Sequence, residues 1–275
     1  MEYKLVAIDC DNTLIKSDGE IHPDNIIAIN KLLDKGIKIV IATGRNDILV
    51  KEYMDEAGFK EEVVISCNGA SIRDLKTNQT IKASFIPKEK VKEIIDVCHE
   101  EDIEATFFTL EKSYSTKPRS LELKTTISKT HYTKRLKTSI KNNFDADFEK
   151  VIAENDFLKM VIIELDPQRL LKLRSLFKKI NNISVFISSK HCLDIVAEGV
   201  SKGSALAEYA DILGINTDQT IAIGDSENDI EMLKTAGVSI AMGNSSQDVK
   251  DVCDIITEDN NNGGVAIALN KIFEL

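Results

Sequence analysis

Long apolar runs, a signal-peptide pattern and paired cysteines are all missing from this sequence of 275 residues. No stretch approaches the roughly 18 apolar residues that a membrane-spanning helix needs, and the N-terminus enters a strand pattern directly. The five cysteines are odd in number and scattered, with no Cys-x-x-Cys spacing. This pattern argues against a disulfide framework and against structural zinc. We therefore expect a cytoplasmic protein without membrane partners.

The charge of the chain is mainly negative. The formal net charge is −10, with 43% hydrophobic and 29% charged residues, which is typical of a globular protein with a substantial core. The excess of acidic residues argues against general nucleic-acid binding. The segment Lys112–Lys141 differs, because it carries nine Lys or Arg residues and one acidic residue, Glu122. Either it is solvated surface, or it attracts an anionic substrate.

Strand and helix patterns alternate at both ends of the chain, and the middle differs. Five short apolar runs read as buried strands: Leu5–Asp9, Lys38–Thr43, Val63–Ser66, Thr220–Gly224 and Val238–Ala241. Such runs separated by helices are typical of a parallel sheet covered on both faces. The sequence therefore predicts an α/β protein with a Rossmann-like parallel-sheet core, formed by residues 1–85 and 191–275. Residues 86–190 are predicted to be an inserted α+β domain.

The first predicted strand ends in two carboxylates, Asp9 and Asp11, separated by one residue. Alternate side chains of a strand point to the same face, so both carboxylates are expected to aim at one small volume. Two carboxylates that close repel each other unless a cation or a shared proton relieves them. This pattern indicates a metal site or an acid/base pair. Cys10, between them, is expected to point into the core as an ordinary buried thiol.

Three further segments with polar residues lie at predicted strand ends or helix starts. They are Thr43-Gly44-Arg45, Lys202 and Gly224-Asp-Ser-Glu-Asn-Asp229. In open parallel sheets ligands bind outside the carboxyl ends of the strands, and N–H groups at a helix start favour anions. Each segment alone is a weak signal. Together they favour a site for phosphate and metal.

These segments resemble the four motifs of the haloacid dehalogenase superfamily of phosphohydrolases, specifically its Cof-type members with a large α/β cap. The first motif is Asp9-x-Asp11-x-Thr13-Leu14, and further matches are Asn68-Gly69-Ala70 and Ala241-Met-Gly-Asn244. The resemblance spans the chain, and the insertion falls between the second and third motifs. Cys10 and Asn12 stand where the family commonly has Leu and Gly. Because Asn tolerates unusual backbone angles, we expect the turn to be kept.

The resemblance implies a Mg²⁺-dependent phosphatase of small phosphorylated metabolites, sugar phosphates first, with an aspartyl-phosphate intermediate. Asp9 would be the nucleophile and Asp11 the general acid and base. The implied metal ligands are Asp9, the Asp11 backbone carbonyl and Asp225. The implied phosphate-binding residues are Thr43, Gly44, Lys202 and Asn228. The supporting residues would be Thr13, Arg45, Asn68 and Asp229, the last orienting Lys202 or a metal-bound water.

Two alternative functions remain open at this point. A phosphotransferase or mutase would use the same intermediate, but it would need a group that keeps water away, and nothing in residues 86–190 identifies one. A non-catalytic regulator that binds a phosphometabolite is the other, and the complete set of catalytic roles argues against it. The expected partner is a small phosphorylated metabolite, with no nucleic acid and no membrane. The protein is expected to be a monomer or a homodimer.

Overall fold

The computed structural model describes residues 2–59, 63–117, 142–143 and 148–275. The chain forms two compact units: the core, residues 1–82 and 201–275, and the insert, residues 83–200. The sequence predicts that the insert ends at residue 190, whereas in the structure it ends at residue 200. The reason is the strand Cys192–Ala197, which pairs with Ile183–Ser189 and Lys159–Ile163 in the sheet of the insert.

The core contains an eight-stranded sheet. Its strands are β1 (Leu5–Asp9), β2 (Lys38–Ala42), β3 (Val63–Ser66), β4 (Ser71–Asp74) and β5 (Gln79–Ala83), followed after the insert by β12 (Thr220–Gly224), β13 (Val238–Ala241) and β14 (Ile255–Ile256). The strand order is β14-β13-β12-β1-β2-β3-β4-β5. The strands from β14 to β3 pair in parallel, and β4 pairs antiparallel to β3.

Both faces of the core sheet are covered by helices. They are α1 (Pro23–Asp34), α2 (Asp47–Ala57), α6 (Lys202–Ile212), α7 (Ile230–Thr235), α8 (Gln247–Lys250) and α9 (Gly264–Phe273). On β1, Val6 and Ile8 lie in the apolar cluster with α1, α2 and α9, whereas Leu5 and Ala7 lie in the cluster with α6 and α7. All four side chains are fully buried. The predicted α/β core with a parallel sheet is confirmed.

The insert is an α+β unit with its own apolar core. Its strands are β6 (Ala105–Phe108), β7 (Ser113–Ser115), β8 (Asn142–Asn143), β9 (Lys159–Ile163), β10 (Ile183–Ser189) and β11 (Cys192–Ala197). Its helices are α3 (Lys88–Glu100), α4 (Phe148–Glu154) and α5 (Pro167–Phe177). The sheet order is β10-β11-β9-β6-β7-β8, with antiparallel pairs from β10 to β7.

The structure describes only part of the residues that bear on two expectations, the role of the basic segment and the absence of a membrane-spanning helix. Most of the basic segment, residues 118–141, lies outside the described residues. In the part that is described, Lys117 forms an ion pair with Asp102, with Nζ 2.7 Å from Oδ1. Among the described residues, no helix is long and apolar enough to cross a membrane.

Candidate active site

Four neighbouring strands of the core bring the predicted polar residues to one edge of the sheet. β12, β1, β2 and β3 are adjacent and parallel, so their carboxyl ends lie side by side. Asp9 ends β1, Thr43 follows β2, and Asp225 follows β12. Asn68 lies in the turn after β3. The structure therefore places these segments, which are far apart in sequence, at one edge.

Lys202 lies between two carboxylates in the interior of the core. Its Nζ is 2.5 Å from Asp9 Oδ1 and 2.6 Å from Asp229 Oδ1, and the side chain is only 1% exposed. Lys202 begins α6, and the N-cap residue Ser201 exchanges hydrogen bonds with Ser204 in a capping box. Burial lowers the pKa of Lys202, but the charges of Asp229 and Asp9 outweigh it and raise the pKa above its ordinary value. The ammonium therefore stays charged.

Asp229 uses both of its carboxylate oxygens inside the protein. Oδ1 accepts from Lys202, and Oδ2 accepts from the backbone N–H groups of Asp225 at 3.0 Å and Ser226 at 2.9 Å. Gly224 makes room for this carboxylate, because a Cβ at that position would lie 2.6 Å from the Asp229 Cβ. Asp229 thus fixes both the position of Lys202 and the loop that carries Asp225.

Asp225 is oriented by two hydroxyl groups. Thr13 Oγ1 donates to its Oδ1 at 3.1 Å, and Ser226 Oγ donates to its Oδ2 at 2.9 Å. Burial, followed by the nearby charge of Asp229, raises the pKa of Asp225 to about 7. Ser226 is not among the residues predicted from the sequence, although its spacing to Asp229 is that of a capping box and could have indicated it.

The carboxylates of Asp9, Asp225 and Asp229 form a buried acidic cluster. Each offers one oxygen, and these oxygens lie within 4.8 Å of one another. Burial, followed by the charge of Asp229, raises the pKa of Asp9 well above its ordinary value, and the ammonium of Lys202 offsets this rise only in part. Asp229 Oδ1 accepts from the Lys202 ammonium and its Oδ2 from two backbone N–H groups, whereas each oxygen of Asp225 accepts from a single hydroxyl. Asp9 and Asp225 are therefore better placed than Asp229 to hold a cation. This donor set fits a divalent metal that prefers oxygen ligands.

Asp11 lies outside that cluster. Its carboxylate accepts two hydrogen bonds from the Arg45 guanidinium, one from Nε at 2.7 Å and one from Nη2. The Arg45 guanidinium also stacks over Tyr53, with Cζ 5.1 Å from the ring centroid. The sequence predicts that the carboxylates of Asp9 and Asp11 aim at one volume, but in the structure the Asp11 carboxylate is bound by Arg45 instead. The sequence could not have indicated Tyr53, because it lies within α2 and outside every motif segment.

The remaining predicted phosphate ligands lie in two tight loops. Thr43 is buried, and its Oγ1 accepts from the Arg45 N–H at 3.0 Å, which closes the turn around the partly exposed Gly44. Asn228 Nδ2 donates to Asn68 Oδ1 at 2.9 Å, and both side chains are buried. The two loops thereby bring hydroxyl, backbone N–H and amide groups to the edge of the sheet where Lys202 contacts Asp9, a combination that suits a phosphoryl group.

The two departures from the common first motif are accommodated. Asn12 adopts a left-handed φ of 57°, which confirms that the turn is kept, and its carbonyl accepts from Asn244 Nδ2 at 2.9 Å. Cys10 is 1% exposed, so the expected buried thiol is confirmed. Burial, with the charge of Asp11 as a smaller cause, raises the pKa of Cys10. Its thiol is therefore not activated as a nucleophile.

The sequence model of the haloacid dehalogenase-like hydrolases matches residues 6–269. The match covers nearly the whole chain and both parts of the core. The chain therefore belongs to this family. The resemblance carried by the motifs is confirmed, and with it the class of enzyme, a hydrolase of phosphate monoesters.

Relatives of similar length support this assignment. The chain is 28% identical over 270 residues to the 5-amino-6-(5-phospho-D-ribitylamino)uracil phosphatase YcsE of Bacillus subtilis, with 98% of this chain and 95% of that protein covered. A haloacid dehalogenase-like hydrolase of B. subtilis is similar in structure, with a TM-score of 0.87 and 26% identity over 97% of this chain and 99% of the other. A haloacid dehalogenase-like hydrolase of Bacteroides thetaiotaomicron has a TM-score of 0.81 and 26% identity, covering 99% and 100% of the chains.

Proposed function

We propose that this protein is a Mg²⁺-dependent phosphatase that hydrolyses small phosphorylated metabolites through an aspartyl-phosphate formed on Asp9. The observation that carries the proposal is the contact of a buried ammonium, Lys202 Nζ, with Asp9 Oδ1 at 2.5 Å, beside the oxygen cluster that includes Asp225. A carboxylate buried next to a fixed cation and a metal site is oriented to attack phosphorus while phosphoryl oxygens bind the positive charges.

In the first chemical step, Asp9 forms a bond to phosphorus as the bond to the leaving oxygen breaks. Asp11, two residues after Asp9, is open to solvent: its side chain is 48% exposed and is held by Arg45. Asp11 donates a proton to the leaving oxygen in this step. In the second step it takes a proton from the water that attacks phosphorus, which releases inorganic phosphate and restores Asp9.

The phosphoryl oxygens are held by residues from three of the motif segments: Thr43, Gly44, Lys202 and Asn228. These groups are donors fixed by the protein, and they stabilise the charge that moves to the oxygens in the transition state. Asp9, the Asp11 carbonyl and Asp225 would hold the Mg²⁺, which would supply positive charge that keeps Asp9 ionised and offsets the charge of the phosphoryl group.

The substrate class proposed is a sugar or polyol phosphate. The B. subtilis relative YcsE is named for a substrate whose phosphate is carried by a ribityl chain, an open-chain polyol. The general acid matters most for such substrates, because an alkoxide is a poor leaving group and must be protonated as it departs.

Turnover of p-nitrophenyl phosphate tests the proposal. The wild-type protein should release phosphate with Mg²⁺ and stop when EDTA is added. Asp9→Asn should lower kcat by about 10³-fold or more, since it removes the nucleophile with little change in shape. Asp102→Asn is the matched control, because Asp102 is an exposed carboxylate of the insert, and it should keep full activity. Equal activity in Asp9→Asn and wild type would overturn the proposal.

A further inference from the structure

The turn after β3, Cys67–Gly69, has an unusual backbone. Three consecutive residues adopt left-handed angles: φ is 51° at Cys67, 57° at Asn68 and 98° at Gly69. Residues other than glycine rarely adopt these angles, and a run that includes Cys is strained. Strain of this kind persists where surrounding contacts hold it, and it is often found next to functional sites.

Two backbone hydrogen bonds tie the turn to the Thr43-Gly44-Arg45 segment. The Cys67 N–H donates to the Arg45 carbonyl at 2.8 Å, and the Asn68 N–H donates to the Thr43 carbonyl at 3.0 Å. The turn is therefore hydrogen-bonded to the first and the last residue of that segment. The two residues that donate these N–H groups, Cys67 and Asn68, are the same two that have left-handed angles although they are not glycine.

Two side-chain positions tie the same turn to Asn228 and Lys202. Asn68 Oδ1 accepts from Asn228 Nδ2 at 2.9 Å. At Gly69, a Cβ would lie 2.1 Å from the carbonyl oxygen of Ser201, the residue that precedes Lys202. Only glycine allows the turn to approach the start of α6 this closely. One three-residue turn thus touches the segments that carry Thr43, Asn228 and Lys202.

We propose that the turn Cys67–Gly69 is a positioning element that sets the phosphate-binding groups relative to one another, with Asn68 acting through Asn228. An asparagine amide has two N–H donors in one plane. When Asn68 accepts one of them, the plane is fixed and the direction of the second N–H is set before phosphate binds. Gly69 performs the matching role for Lys202 by fixing the start of its helix. This inference rests on the proposed function, which makes Asn228 and Lys202 phosphate ligands.

A double-mutant cycle tests the action of Asn68 through Asn228. Asn68→Gly removes the acceptor amide while glycine keeps the left-handed angle without strain. We expect the inhibition constant of inorganic phosphate to rise about three- to tenfold, the effect of losing one hydrogen bond. In an Asn228→Ala background, Asn68→Gly should have no further effect. The inference would be overturned if the two substitutions raised the inhibition constant independently, so that their effects multiplied in the double variant. It would also be overturned if Asn68→Gly left the inhibition constant unchanged.

A pair of glycine variants tests the contact with α6 independently. Gly69→Ala and Gly36→Ala both place a side chain on a left-handed residue, but a Cβ at Gly36 meets no atom within 4 Å. Gly36→Ala should lower stability and leave kcat and the phosphate constant unchanged. Gly69→Ala should lower kcat of the folded fraction about 10- to 100-fold, because it displaces Lys202. Equal kcat in the two variants would contradict the inference.

The wild-type protein separates this inference from its premise. If wild type releases no phosphate from any phosphate ester and does not bind inorganic phosphate, the proposed function fails, and the inference fails with it. If wild type turns over normally but the two substitutions of the cycle act independently, only the role of the turn is overturned.

Discussion

The guanidinium of Arg45 holds the carboxylate of Asp11 with two of its nitrogen atoms, Nε lying 2.7 Å from Oδ2. Arg45 is 8% exposed and Asp11 is 48% exposed, so a fixed cation anchors a carboxylate that remains open to solvent. Asp9, two residues earlier, is buried against Lys202. Two aspartates that are close in sequence therefore have different environments, one suited to nucleophilic attack and one to proton transfer.

Removing the cation of Arg45 should affect substrates according to their leaving group. In Arg45→Met, Asp11 loses its anchor, and we expect kcat on glycerol phosphate to fall about tenfold more than kcat on p-nitrophenyl phosphate. The reason is that p-nitrophenolate leaves without protonation, whereas an alkoxide does not. Arg45→Lys should lie between wild type and Arg45→Met, because lysine keeps the charge but not the two-nitrogen geometry. Equal losses on both substrates would show that Arg45 does not act through the acid.

The Thr13 hydroxyl should control the affinity for the metal. Thr13→Val removes the donor to Asp225 Oδ1, and we expect the half-saturating concentration of Mg²⁺ to rise about tenfold. Thr13→Ser keeps the hydroxyl and should stay near wild type. The measurement is phosphate release against Mg²⁺ concentration. A similar rise in both variants would mean that packing, and not the hydrogen bond, is what matters.

The stability of the metal-free protein should fall as pH rises. The pKa of Asp225 is raised from 3.8 to about 7, so its ionised form is disfavoured in the folded state. The contribution of this group is therefore complete below its ordinary pKa and is lost as pH rises through about 7. At about 1.4 kcal/mol per unit, the loss is on the order of a few kcal/mol. Urea unfolding in EDTA should give a lower free energy of unfolding at about pH 8 than at about pH 5.

Two controls accompany the pH measurement. Asp225→Asn cannot ionise and should show a smaller loss between the two pH values. Mg²⁺, as the proposed ligand of the native state, should restore stability to wild type at the higher pH. Wild type in EDTA that is as stable at the higher pH as at the lower would contradict the assigned cause.

The strands of the core were the part most readily predicted from the sequence. The bounds Leu5–Asp9, Val63–Ser66, Thr220–Gly224 and Val238–Ala241 are confirmed. Each is a continuous apolar run between polar residues, which is the local signature of a strand buried on both faces. Because parallel neighbours bring their carboxyl ends together, the gathering of Asp9, Thr43 and Asp225 could be expected as well.

The end of the insert and the partners of the carboxylates could not be predicted in the same way. The run Leu193–Val196 reads as a short apolar strand that could belong to either sheet, and only its pairing with β9 and β10 assigns it to the insert. The attachment of Asp11 to Arg45 joins residues 34 positions apart. Such pairs depend on side-chain directions that periodicity does not contain.

The central claim, an aspartyl-phosphate on Asp9, is tested most directly by trapping it. In Asp11→Asn, p-nitrophenolate can still leave unprotonated, but the water that hydrolyses the intermediate lacks its base. Rapid acid quench after mixing with p-nitrophenyl phosphate and Mg²⁺ should show a burst of one p-nitrophenolate per enzyme. Peptide mass mapping should then place one phosphoryl group on the peptide that contains Asp9. No burst and no phosphorylated peptide, with wild type fully active, or a phosphoryl group on another residue, would contradict the account.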